Sequence, residues 1–178
     1  MTEIPDNLQD VLAMALRNEQ RGREILKEGE EGAKTALGRS TFEFLANEEL
    51  NHIRLIEGYA NSIAGGLAWE PGELSPLTKR AAGEQIKSIF DKYAAVYARA
   101  GESGEERMDI YEAALNMERD GFTFYSGAAG KARDEQAKKL YEFLASEERR
   151  HFELIQDTRD FLKQPDALLA IEERWMQI

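Results

Sequence analysis

The chain has no cysteine, which excludes disulfides, thiol chemistry and any sulfur-ligated zinc or iron centre. Positive charge is also scarce: 23 Lys and Arg stand against 34 Asp and Glu, a formal charge of −11, with no basic cluster. Such a surface repels phosphate backbones and anionic headgroups, so neither a nucleic acid nor a membrane is expected as a partner. No apolar run approaches the roughly 20 residues that a spanning helix needs. The first ten residues, MTEIPDNLQD, lack the basic and apolar regions of a secretory signal, and a cytoplasmic location is expected. Proline occurs only four times, near predicted element ends, whereas Ala, Glu, Leu, Lys and Arg are abundant; an all-helical protein is the natural reading. A chain of 178 residues is long enough to bury a sizeable core, and residues 1–178 are read as a single domain.

Histidine is scarce too, and its placement is informative. The stretch Glu43–Ile56 reads EFLANEELNHIRLI, and 99 residues later Glu142–Ile155 reads EFLASEERRHFELI. Nine of the fourteen positions are identical, and the two segments hold the only two histidines, His52 and His151. Each follows a glutamate by three residues, Glu49 and Glu148. Residues three apart on a helix share a face, so each pair can present a carboxylate and an imidazole to one point. The repeat extends upstream: Ala15, Leu16, Glu19 and Gly22 match Ala114, Leu115, Glu118 and Gly121.

Apolar spacing places these residues on four long helices. The first is predicted over 6–34, with Leu8, Leu12, Ala15, Glu19, Gly22, Leu26 and Gly29 on one face. Thr35 and its counterpart Asp134 are good N-caps. A second helix is predicted over 36–64, with Phe42, Leu45, Glu49, His52, Ile56, Tyr59 and Ile63 inward. Residues 65–104 form a crossover containing an extra amphipathic helix that starts at Ser75-Pro76 and carries Ile86, Phe90, Tyr93 and Tyr97. Ser103 and Glu106 resemble a capping box. A second hairpin then covers 105–163: one helix over 105–131 with Tyr111, Ala114, Glu118, Gly121, Tyr125 and Ala128 inward, and one over 135–163 with Tyr141, Leu144, Glu148, His151, Ile155 and Leu162 inward. A tail helix over 166–178 carries Leu168, Ile171, Trp175 and Ile178, a face that needs cover from the bundle or another subunit. Glu48, about 100° round the helix from Glu49, reads as a solvated neighbour, and Tyr125 as a core tyrosine with a satisfied hydroxyl.

Register brings the polar residues together. Glu19 and Glu49 are equidistant from residue 34, Glu118 and Glu148 from residue 133, so each antiparallel hairpin sets its two glutamates at one height. Pairing the hairpins by a pseudo-twofold puts all four glutamates and both histidines in one layer. Four unpaired carboxylates in an apolar core are prohibitive, since each buried ion costs several kcal/mol. Two divalent cations balance them, and oxygen-rich donors with one imidazole per ion suit iron or manganese. A water-filled polar layer, or glutamates turned outward and capped by arginines, is the alternative.

In Glu19, Glu49-Leu50-Asn51-His52, Glu118 and Glu148-Arg149-Arg150-His151, over roughly residues 8–163, the chain resembles the ferritin-like superfamily, most closely the rubrerythrin-type di-iron carboxylate proteins. The resemblance implies a ferritin-like antiparallel four-helix bundle and a centre of two Fe ions, with Mn or Zn able to occupy it in a preparation. It implies that Glu49 and Glu148 bridge, that Glu19 and Glu118 are terminal ligands, and that His52 and His151 each hold one ion. The same six residues would then be the catalytic set. Two departures stand out. With no cysteine the chain has no rubredoxin domain, and Gly121 occupies the place of an extra glutamate one turn after the third-helix ligand. The remaining four-Glu, two-His set is equally similar to the ferroxidase centre of bacterioferritins.

The expected function is therefore that of a di-iron redox enzyme, a peroxidase or ferroxidase acting on hydrogen peroxide or dioxygen and drawing on an external electron donor. The alternatives are iron oxidation with storage or transfer, a di-metal oxygenase, and a non-catalytic metal-binding protein. The crossover and tail helices suggest a homo-oligomer, at least a dimer.

Overall fold

The computed structural model describes residues 4–67, 69, 88 and 107–164. Within them the fold is all-helical with no strand: α1 (Leu8–Gly32), α2 (Ala36–Ala64), α3 (Met108–Lys131) and α4 (Glu135–Lys163). The predicted crossover helix, the Ser103–Glu106 box and the tail helix lie outside the described residues.

The helix ends follow from capping chemistry. Asn7 opens α1, its side chain accepting from the Gln9 and Asp10 amides at 2.9 and 3.3 Å. Thr35 opens α2 by accepting from Gly38 N at 3.1 Å. Asp134 opens α4, accepting from Gln136 N at 3.0 Å and Ala137 N at 2.8 Å. Each cap satisfies amides that the first helical turn leaves without intrahelical partners. Arg107, at the start of α3, makes no side-chain cap.

Three-residue connections, 33–35 and 132–134, fold α1 back on α2 and α3 back on α4. The closing turn of the first hairpin is tight. A Cβ at Gly29 would stand 2.7 Å from the Phe42 ring, so only glycine lets the last turn of α1 lie on that ring. The two hairpins meet through α1 against α3 and α2 against α4. One apolar cluster joins the C-terminal half of α1 (Leu26) to the N-terminal half of α2 (Leu37, Phe42, Leu45), the start of α3 (Tyr111, Leu115) and the end of α4 (Leu154, Phe161). The other joins the start of α1 (Val11, Ala15) to Ile56 and Tyr59, Tyr125 and Ala128, and Leu140 and Leu144. Neighbouring helices are thus antiparallel all round, and the chain between 67 and 107 connects opposite ends of the bundle.

On every helix the candidate ligands fall between these two clusters: Glu19 between Ala15 and Leu26, Glu49 and His52 between Ala46 and Ile56, Glu118 between Leu115 and Phe124, Glu148 and His151 between Ala145 and Leu154. The polar layer is closed above and below by packed apolar side chains. The predicted inward stripes are buried with few exceptions. Ile63 is 39% exposed; its height matches residue 5 of the first hairpin, before α1 begins at Leu8, so among the described residues no helix of that hairpin lies beside it. Among the described residues no helix is long and apolar enough to cross a membrane.

Candidate metal centre

Each candidate ligand comes from the middle of a long helix, where packing on both sides holds its backbone. Glu19, Glu49, His52, Glu118, Glu148 and His151 are all brought into the layer, and none is more than 4% exposed. Glu49, His52, Glu148 and His151 each offer a donor atom, all within 4.8 Å of one another, a group that can hold a metal ion. Glu19 and Glu118 flank it. His52 Nδ1 lies 3.1 Å from Glu19 Oε2, 3.6 Å from Glu49 Oε2 and 3.5 Å from Glu148 Oε1. His151 Nδ1 lies 3.2 Å from Glu49 Oε1 and 3.7 Å from Glu118 Oε2. The two imidazoles stack with centroids 5.3 Å apart and planes 14° from parallel. These contacts repeat the offset of the sequence: His52 beside Glu148 answers His151 beside Glu49, and Glu19 beside His52 answers Glu118 beside His151. Both histidines turn Nδ1, the same ring nitrogen, toward the acids.

Glycine makes room for the acids. A Cβ at Gly121 would sit 2.7 Å from Glu148 Oε2, so the carboxylate occupies the space a side chain would take. At Gly22 the added atom would be 3.0 Å from Met117 Sδ and 3.7 Å from Glu49 Oε2.

Electrostatics in this layer are those of acids and bases sharing protons. Burial, with the charges of Glu49 and Glu148, holds the Glu19 carboxyl well above the usual range. Burial and the charge of Glu148 do the same for Glu118. At Glu49 burial pushes upward, but hydrogen bonds with Glu19, His151 and His52 outweigh it and hold the group well below its ordinary value. Burial pushes His52 down, yet the contacts with Glu148, Glu19 and Glu49 prevail and raise it well above normal. His151 is also raised, to about 10, the nearby Glu118 and Glu49 outweighing its burial. Glu19, Glu118, His52 and His151 thus each retain a proton where the free side chain would begin to lose it.

A metal fits this donor set. Glu118 Oε1 and Oε2 and Glu148 Oε1 are buried and accept no hydrogen bond, a costly state that a bound cation relieves. The four carboxylates and two imidazoles are the donors that divalent first-row metals take.

Two features were less legible in the sequence. Glu48, read as solvated, is half-buried, and its counterpart Glu147 is buried outright. Glu48, Glu147 and His151 also form a compact donor group. The two acids are held differently: Asn51 Nδ2 donates to Glu48 Oε1 at 3.2 Å, whereas the guanidinium of Arg150, the counterpart of Asn51, lies against Glu147. The signal was present in the doubled Glu-Glu-x-x-His of both copies. Tyr125 is buried as expected and its hydroxyl is satisfied, but the acceptor is Glu19 Oε1 itself. Trp69 packs edge-on against Tyr59 with ring centroids 4.9 Å apart.

Neither a protein-family model nor a curated protein sequence matches the chain. Among solved structures it is similar to "Hypothetical Protein Pfu-1136390-001 From Pyrococcus furiosus", with a TM-score of 0.59 and 20% identity over 88% of this chain and 90% of that one. That likeness extends to the fold alone.

Proposed function

We propose that the chain is a ferritin-like, rubrerythrin-type protein whose six buried acids and imidazoles hold two iron ions for reaction with hydrogen peroxide or dioxygen. The observation that carries this reading is the layer itself: four glutamates and both histidines, from four helices, converge between two apolar clusters with carboxylate oxygens left unbonded. Glu19 and His52 would serve one ion, Glu118 and His151 the other, and Glu49 and Glu148 both. Two iron ions bound together supply two electrons at once to a peroxide or dioxygen. The protein's part is to keep that chemistry dry and electrically balanced. Leu26, Phe42 and Leu115 exclude water from one side, and Ile56, Tyr125 and Leu144 from the other. Tyr125 fixes Glu19 through its hydroxyl. The protons on Glu19, Glu118, His52 and His151 leave as cations enter, so the layer never carries four bare charges. Electrons for repeated turnover come from an external donor.

A second reading, iron oxidation followed by storage or transfer, is favoured by Gly121. With Glu148 Oε2 in the space beside it, that turn of α3 has no place for a seventh ligand. Stopped-flow mixing of the anaerobic Fe(II)-loaded protein with peroxide and, separately, with dioxygen tests both readings. The redox function predicts oxidation faster than that of free Fe(II), with peroxide the quicker oxidant for a peroxidase and dioxygen for a ferroxidase. Oxidation no faster than free iron with either would leave a non-catalytic metal-binding protein. Native mass then separates storage, which needs a closed shell of many subunits, from a small oligomer.

A further inference from the structure

The two halves of the centre differ beside Glu19 and Glu118. The Tyr125 hydroxyl donates to Glu19 Oε1. The matching residue 99 positions earlier is Leu26, equally buried and with no polar atom to offer. Both oxygens of Glu19 are therefore engaged, Oε1 by Tyr125 and Oε2 by His52 Nδ1 at 3.1 Å. Glu118 accepts a hydrogen bond at neither oxygen, and His151 Nδ1 stands off at 3.7 Å.

We propose that the two positions bind divalent cations with unequal affinity, the Glu118–His151 position filling first, and that Tyr125 sets the difference as a positioning residue by leaving Glu19 one oxygen to give. The inference rests on the metal-centre reading above and deepens it. A buried carboxyl whose oxygens accept no hydrogen bond is the less satisfied ligand before binding, so it gains more when a cation arrives, and it has both oxygens free to chelate. Glu19 must bind through a single oxygen or first surrender the phenol. A buried hydrogen bond of this kind is worth roughly a ten-fold factor in an equilibrium. Tyr125 is itself held by packing, with Phe124 edge-on at 5.1 Å and Tyr141 stacked at 6.4 Å, so its hydroxyl is not free to follow Glu19 away.

Titration of Co(II) into the metal-free protein, followed by visible absorption and calorimetry, tests this without any turnover. Wild type should bind two ions in a tight and a weak step separated by about ten-fold or more. Tyr125→Phe keeps the ring and deletes only the donor; it should tighten the weak step by roughly ten-fold and leave the tight step unchanged. Glu118→Gln should remove the tight step and Glu19→Gln the weak one, with circular dichroism melts showing which variants are folded. No Co(II) binding by wild type, or two ions bound with unchanged affinity by both Gln variants, would overturn the metal-centre reading and the inference with it. Two ions bound by wild type, with Glu19→Gln removing the tight step or a folded Tyr125→Phe leaving both steps unchanged, would overturn the inference alone.

Discussion

Protonation at single residues decides how the layer survives without metal. His151 is raised to about 10 and His52 is raised as well, so their stabilising contribution is complete below the ordinary histidine value and lost as pH climbs through the folded value. Glu19 and Glu118 are raised carboxyls and act in the same direction, contributing most in acid and less as pH rises past the ordinary carboxylate range. Glu49 is depressed and works oppositely, its contribution being lost only as pH falls through its low folded value. The sum predicts a metal-free protein whose denaturant midpoint declines steadily between about pH 6.5 and about pH 10, the window set by His151. The loaded protein should be flatter over that window, because bound cations already hold the ligands deprotonated. Parallel urea titrations of both forms check this; identical pH profiles would mean that cations do not replace these protons. The residue scale is also where the sequence was least sufficient. Helical spacing gives a side chain's direction but not its neighbour, so it could place Tyr125 inward without revealing that its hydroxyl meets Glu19. Nor could it show that Arg150 covers Glu147 while Asn51 leaves Glu48 half-open.

At the scale of helices, more was legible, because a helix end is written in a few adjacent residues. Thr35 and Asp134 occupy matching positions of the repeat, and both serve as N-caps at the predicted places. The charged residues in the middle of otherwise apolar stripes face inward, as the three-four spacing required. Ile63 breaks its stripe for a reason that lies in a different helix, since α1 begins too late to cover it. Thr35 accepts the Gly38 amide, and Asp134 accepts two amides and also the Tyr59 hydroxyl at 2.8 Å, tying the end of α2 to the start of α4. Asp134→Ala should cost about 2 kcal/mol, because the helix loses its cap and the half-buried Tyr59 hydroxyl loses its acceptor as well. A double-mutant cycle of Asp134→Ala with Tyr59→Phe, read by urea denaturation, should show coupling; additive losses would show that the bond between α2 and α4 contributes nothing.

For the whole molecule, the repeat is what made the arrangement readable: two hairpins with ligands at equal heights leave little choice about where four glutamates and two histidines meet. That concentration would also make metal binding and folding interdependent. The layer divides the core in two, and each apolar cluster draws on all four helices, so strain in the layer is felt by both. Without cations, Glu118 keeps two buried oxygens with no hydrogen bond, a penalty the folded state bears and the unfolded chain does not. A ligand that binds only the folded form stabilises it by RT ln(1 + [L]/Kd), about 4 kcal/mol at a thousand-fold excess over Kd. At about 2–4 °C per kcal/mol for chains of this size, loading with Fe(II) or Co(II) should raise Tm by on the order of 10 °C. Stripping with a chelator should return it, and Glu49→Ala, which removes one of the four groups able to hold a metal ion, should abolish most of the metal-dependent rise. A Tm that ignores loading and chelation alike would mean that these carboxylates tolerate burial by sharing protons alone, and the layer would then be a structural polar network and not a metal centre.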